Sequence, residues 1–313
     1  MLALLAALAL LAAACGGRND SGQTGGGALA GVVADLTGVR VSVGSKEFTE
    51  QRIVGHMAAL ALEAAGASVN RSAIGVEGTE VIRQLLETGQ VDMYWEYTGT
   101  GWITILGMTE ILDGAEAYHQ RVKEADAENG IVWLPPSEVN NTYALFVSPN
   151  AGLGVETISD LAALARQSPD RVTLCAAAEF AARPDGLPGV TNAYDFAFSR
   201  VSESDLPLAI NEAIKGQRCT VGEIFQTNPQ ILQRNLNVLE DDRQFFPVYN
   251  LAMTIRREVY EANAQGYNEL FGAITELLDN DTMIRLNSAV EIDLESEEDV
   301  AREFLVEHGI ISG

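Results

Sequence analysis

Histidine and cysteine are scarce in this chain, with three of each in 313 residues. His56, His119 and His308 are scattered, and no two cysteines form a C-x-x-C pair, so a clustered zinc site is not expected. The sequence has no G-x-S-x-G elbow, no G-x-x-x-x-G-K-[ST] phosphate loop and no G-x-G-x-x-G fingerprint. His56 lies in a helical pattern with no nucleophile or relay beside it. No catalytic residue, metal or cofactor is expected. Basic residues are few as well: 20 Lys and Arg stand against 44 Asp and Glu, a formal charge of −24. That field repels phosphate backbones and argues against nucleic acid as a partner.

What is present is enough apolar residue, 47% of the chain, to bury a core in one large domain or two lobes. The stretch Val91–Gly101, VDMYWEYTGTG, draws attention first. Its period-two alternation predicts a strand, with Asp92, Met93 and Trp95 as scaffold. The run Thr98-Gly99-Thr100-Gly101 then reads as a loop of hydroxyls, bare amides and unusual backbone angles. In open α/β folds, ligands sit where such loops leave strand ends.

Upstream, Val39, Val41 and Val43 alternate as a short strand leading to Lys46. Thr49 is the expected N-cap of a helix carrying Ile53, Val54, Met57, Leu60, Ala61 and Ala64, stopped by Gly66. A second strand over Ser68–Ile74 and a helix from Gly78-Thr79 to Gly89 complete a βαβαβ order, which implies a parallel, doubly wound sheet. Helical patterns follow over 110–129, then a strand over 131–134. The second half repeats this logic: a helix near 158–167, a strand at 172–176, a loop over 179–186, helices at 194–200 and 206–215, and strands at 219–225 and 237–240. A strand at 251–256 and amphipathic helices near 267–278, 281–290 and 298–308 close the chain. Asp92 and Glu96 share a strand face by chance, and Glu47 and Glu50 read as helix-start charges. The notable set is different: Lys46, Tyr97, Tyr143, Arg183, Phe225 and Tyr249 all stand near loop entries.

At the start, Met1–Ala14 is apolar, short for a membrane span, and fits a signal-peptide core. Ala12, Ala13 and Ala14 before Cys15 resemble the lipobox of bacterial lipoproteins, in which that cysteine carries lipid. Residues 1–15 are thus expected to be a lipoprotein signal peptide and 16–36 a flexible tether. Outside the cytoplasm the remaining pair, Cys175 and Cys219, reads as one disulfide, with two buried thiols as the alternative.

Several segments, in order, resemble the osmoprotectant-binding proteins of ABC importers, of the glycine betaine/carnitine/choline-binding OpuAC/ProX type. They are Val43-Gly44-Ser45-Lys46-Glu47-Phe48-Thr49-Glu50-Gln51, Glu96-Tyr97-Thr98-Gly99-Thr100, Asn141-Thr142-Tyr143-Ala144-Leu145, Phe180-Ala181-Ala182-Arg183-Pro184-Asp185-Gly186 and Phe245-Phe246-Pro247-Val248-Tyr249-Asn250. The resemblance implies a type II periplasmic-binding-protein fold of class α/β, two doubly wound lobes joined by two crossing strands. Lobe 1 would be 37–142 plus 250–313, and lobe 2 143–249. It implies a quaternary-ammonium ligand, caged by Tyr97, Tyr143, Tyr249 and Phe225 through cation–π attraction of about 0.5–2 kcal/mol per ring. Asn141 would supply an amide dipole where some relatives have Asp. Lys46, Arg183 and the Thr100 hydroxyl would meet a betaine or carnitine carboxylate. The absence of Asp at 141 leads to an expected preference for zwitterions over choline. An ABC permease and its ATPase are the implied partners of a monomeric, extracytoplasmic protein held to the membrane by its lipid anchor alone. The alternatives are a binding protein for another small solute such as an amino acid, and an enzyme on the same scaffold.

Overall fold

The computed structural model describes residues 34–313, so the expected signal peptide, Cys15 and most of the expected tether lie outside the described residues. The chain from 34 is already packed: Leu36 is buried, and its N–H donates to the Ala65 carbonyl at 2.8 Å. Burying a leucine contributes about 2 kcal/mol, which ties this end of the expected tether to the first lobe.

Among the described residues, two five-stranded sheets organise the fold. One contains β1 (Arg40–Lys46), β2 (Ser68–Val76), β3 (Met93–Tyr97), β4 (Ile131–Trp133) and β10 (Leu251–Arg256). The other contains β5 (Tyr143–Val147), β6 (Thr173–Ala177), β7 (Arg200–Ser204), β8 (Val221–Phe225) and β9 (Asn237–Val238). Their orders are β2-β1-β3-β10-β4 and β7-β6-β8-β5-β9. β1 runs parallel to β2 and β3, and β6 runs parallel to β7 and β8, joined by crossover helices.

The wholly parallel sheet expected from the βαβαβ order needs correction at two strands. β10 is antiparallel to β3 and β4, and β5 is antiparallel to β8. Each reaches its sheet along a segment coming from the other sheet, not through a crossover helix of its own. These two crossing segments meet in an antiparallel bridge between Asn140 and Asn250.

Helix Thr49–Ala64 buries Ile53, Val54, Met57, Leu60 and Ala61. It is flanked at its start by Phe48 with no side-chain cap, so Thr49 is the first helical residue and not the cap. Gly66, at φ +95°, ends the helix in the left-handed region that glycine tolerates. The run Thr98–Thr100 is also not a loop: it is helical and continues into a π-helical turn, Gly101–Ile105. Its glycine serves close approach, since a Cβ on Gly99 would stand 2.7 Å from the Val248 carbonyl oxygen. Likewise Glu179–Ala182, expected in a loop, belongs to helix Ala178–Ala182. The helix expected at 194–200 is displaced: the helix runs Leu187–Tyr194, and Arg200 opens β7.

Candidate functional site

The C-terminal ends of β1, β3, β6 and β8 face one cleft, as the parallel topology requires. Its cavity, about 1170 Å³, is lined by all eight expected ligand contacts: Lys46, Tyr97, Thr100, Asn141, Tyr143, Arg183, Phe225 and Tyr249. Lys46 ends β1 and Tyr97 ends β3, while Tyr143 opens β5 and Phe225 ends β8. Thr100 sits on the short helix after β3, and Arg183 follows helix Ala178–Ala182. Asn141 and Tyr249 lie on the two crossing segments beside the Asn140–Asn250 bridge.

Aromatic rings dominate the wall. Tyr143 and Phe225 are register partners on β5 and β8, so their side chains share a face and stack at 5.0 Å between centroids. Tyr249 meets Tyr143 edge-on at 5.7 Å. Phe48 bridges to Phe225 at 5.5 Å and stacks on Tyr97 at 6.3 Å, linking the aromatic residues of the two sheets. Phe48 escaped the sequence reading of the site because it stands in a helix-start segment, where an aromatic is ordinary.

The two cations are committed to pairs. Lys46 Nζ donates to Glu96 Oε1 at 2.7 Å, both side chains being buried. Arg183 grips Asp185 with Nε at 2.8 Å and Nη2 at 2.6 Å, and reaches Glu179 with Nη1 at 3.1 Å. Its Nη2 also stands 3.4 Å from the Thr100 hydroxyl across the cleft. Burial opposes the charge of Asp185, yet Arg183 and the Tyr249 hydroxyl outweigh it and hold the carboxyl below its usual range. Glu179 is also held low: Lys46, Arg183 and the Thr79 hydroxyl overcome its burial.

Glu50, read from sequence as a helix-start charge, is instead a buried hub. Its Oε1 accepts from the Tyr97 hydroxyl at 2.7 Å and the Asn141 amide at 2.8 Å, and Oε2 accepts from Asn287 at 3.1 Å. Burial raises its pKa, while those donors and Thr227 work against the rise. Asn287 also donates to the Thr227 carbonyl at 3.2 Å, and the Thr227 hydroxyl donates to Asn141 Oδ1 at 3.0 Å. The network thus ties the helix of Glu50, the first crossing segment and the loop after β8. The carboxyl of Glu50 thus stands one hydrogen bond from Asn141. Sequence could not show this, because Asn287 enters from 237 residues downstream.

Behind the site, Cys175 of β6 is joined to Cys219 at the entry to β8 by a disulfide. Among the described residues no group of His, Cys, Asp and Glu is placed to hold a metal ion, and no helix is long and apolar enough to cross a membrane.

Comparison with known proteins agrees with this geometry. Residues 39–307 match the family described as the substrate binding domain of ABC-type glycine betaine transport system. A glycine-betaine-binding protein of Pseudomonas aeruginosa is 38% identical over 278 residues, covering 86% of this chain and 88% of that protein. An ergothioneine transport permease/ergothioneine binding protein of Helicobacter pylori is 32% identical over 86% of this chain, which spans 47% of that longer protein. Among solved structures, apo YehZ of Escherichia coli superposes with a TM-score of 0.62 at 26% identity, over 86% of this chain and 99% of that one. These are substrate-binding proteins and not enzymes, and the chain belongs to the family of substrate-binding domains of ABC-type glycine betaine transport systems.

Proposed function

We propose that this protein captures a glycine betaine-like quaternary-ammonium osmoprotectant in its cleft and delivers it to an ABC permease and its ATPase. The observation that carries this reading is the convergence of Tyr143, Phe225 and Tyr249 on one cavity, with Phe48 and Tyr97 from the opposite side. A quaternary ammonium has no strong hydrogen bond to donate, so aromatic faces are its natural receptors. Glu50, one hydrogen bond behind Asn141, adds a countercharge at the cage floor.

A carboxylate on the same ligand would be met by Arg183 Nη2 and the Thr100 hydroxyl, whose mutual contact is long at 3.4 Å and leaves room for exchange. Lys46 acts more remotely, through its pair with Glu96. That arrangement favours zwitterions such as glycine betaine and carnitine over choline, which has no carboxylate. In this reading lobe 1 is 37–142 plus 250–313 and lobe 2 is 143–249, closing about the crossing segments. Lipid on Cys15 would hold the monomer at the outer face of the membrane.

Calorimetric titration of the mature protein with glycine betaine, carnitine, choline and proline tests the reading. Saturable binding of glycine betaine, tighter than choline and with no response to proline, is expected. Binding of amino acids alone would reverse it.

A further inference from the structure

Helix Asn280–Glu291 buries Met283, Leu286 and Asn287, whose spacing puts all three on one stripe of its surface. Asn287, 3% exposed, is the polar member. An amide among core side chains costs free energy unless its hydrogen bonds are made. Its Oδ1 meets no donor among the described residues, so the value of an amide here rests on Nδ2. That nitrogen donates twice, to Glu50 Oε2 at 3.1 Å and to the Thr227 carbonyl at 3.2 Å. The two acceptors belong to different halves of the molecule. Glu50 lies in helix Thr49–Ala64, packed on the first sheet, while Thr227 follows β8 of the second. The circuit closes through Asn141, which accepts from the Thr227 hydroxyl at 3.0 Å and donates to Glu50 Oε1 at 2.8 Å. Glu50, Asn141, Thr227 and Asn287 thus form a buried ring of hydrogen bonds, and all four line the cavity. Asn141 sits on a crossing segment, beside the Asn140–Asn250 bridge. Asn287 does not: its bond to Thr227 spans the lobes directly and has to break when they part. Glu50 also holds the Tyr97 hydroxyl, so one carboxyl serves both a cage ring and this contact between lobes.

We propose that Asn287 is a positioning residue for closure of the cleft, which couples the ligand cage to lobe 2 through Glu50 and the Thr227 carbonyl. The inference rests on the quaternary-ammonium reading above and adds to it the contact by which the second lobe is held. When the lobes part, the Asn287 amide and the Thr227 carbonyl exchange their bond for water. When the lobes meet, the bond returns and the ring is complete. Its net value therefore belongs to the closed form alone. A leucine at 287 would continue the stripe of Met283 and Leu286, keeping the helix packed while deleting the bond.

The test compares the parent protein with Asn287→Leu, Thr227→Val and the double variant. Three quantities are measured on each: the melting temperature without ligand, the Kd for glycine betaine by calorimetry, and the radius of gyration by small-angle scattering with and without glycine betaine. Asn287→Leu is expected to melt close to the parent and to bind glycine betaine about threefold to tenfold more weakly, the range of one neutral hydrogen bond. Its ligand-free radius should exceed that of the parent, and saturating glycine betaine should bring the two together. Thr227→Val, which opens the same ring at Asn141, should act in the same direction. The double variant should lose little more than either single one, because a ring once opened is no longer complete. Unchanged affinity and radius in an Asn287→Leu protein that melts normally overturn the inference. Weaker binding at an unchanged radius also overturns it, since the effect then lies within lobe 1. If Asn287→Leu melts far below the parent, the same measurements on Thr227→Val decide. If glycine betaine does not bind the parent, the proposed function falls, and the ligand-free radii still decide this inference: equal radii reject it and a larger one in Asn287→Leu supports it.

Discussion

Asn141 Nδ2 stands 2.8 Å from Glu50 Oε1, so an amide and not a second carboxylate faces the buried acid at the crossing of the two sheets. Replacing it by aspartate exchanges a donor for a like charge. Asn141→Asp is expected to lower the melting temperature by several degrees at pH 7 and by less at pH 5. The sign follows from linkage. Paired buried carboxylates have folded-state pKa values raised above the unfolded ones, so the fold keeps a proton that the unfolded chain releases, and stability falls as pH rises. A variant more stable at pH 7 than at pH 5 would contradict the pairing.

Glu223 offers a second pH test. Its burial, abetted by Glu179 and opposed by the Ala177 N–H and Arg183, pushes its pKa from 4.5 to about 8. Between those values the unfolded chain is ionised and the folded one is protonated. Stability should therefore decline by up to about 1.4 kcal/mol per pH unit over that window. Glu223→Gln should flatten that decline in thermal melts. Parallel curves for the two proteins would show that this carboxyl does not titrate as described.

Phe225 provides a ring with no hydroxyl on the face it shares with Tyr143. Phe225→Leu keeps apolar volume but removes the π face, and glycine betaine affinity should fall by up to about thirtyfold. Phe225→Tyr should retain most of it. Equal affinities for Leu and Phe at this position would mean that the ring serves packing alone.

The Lys46–Glu96 pair is buried on both sides. Glu96→Gln would strand the ammonium, at a cost of about 3–5 kcal/mol. Urea unfolding should show a lower midpoint with an unaltered slope. An unchanged midpoint would mean that Lys46 finds another partner.

Removing the Cys175–Cys219 link, which spans 44 residues of sequence, should cost about 4 kcal/mol on the chain-entropy account. The Cys175→Ser/Cys219→Ser double variant, melted with and without reductant, checks it. Reductant should affect the parent and leave the double variant unmoved.

The lining of the cleft was readable in the sequence wherever a residue type is unusual at its position. Tyr97, Tyr143, Tyr249 and Arg183 stand at strand ends or on short connections, where rings and cations have no local structural duty. Helix Leu206–Lys215 was legible for a similar reason, since Asp205, Pro207 and Gly216 mark its ends. Strand β7 was hidden because RVSES is a polar, half-exposed edge strand with no hydrophobic alternation. Glu50 and Glu223 were hidden more deeply. An acid in a first helical turn or within a strand looks ordinary until distant segments enclose it, and Asn287 and Ala177 lie 237 and 46 residues away from them.

Tyr249 has a divided allegiance. Its backbone N–H accepts no slack, donating to Asn140 at 2.8 Å where the crossing segments meet, while its phenol holds Asp185 of the second lobe at 2.7 Å. The side chain is therefore a strut between the crossing and the loop that carries Arg183. While the strut is engaged, Asp185 and the arginine it grips are tied to the crossing segments.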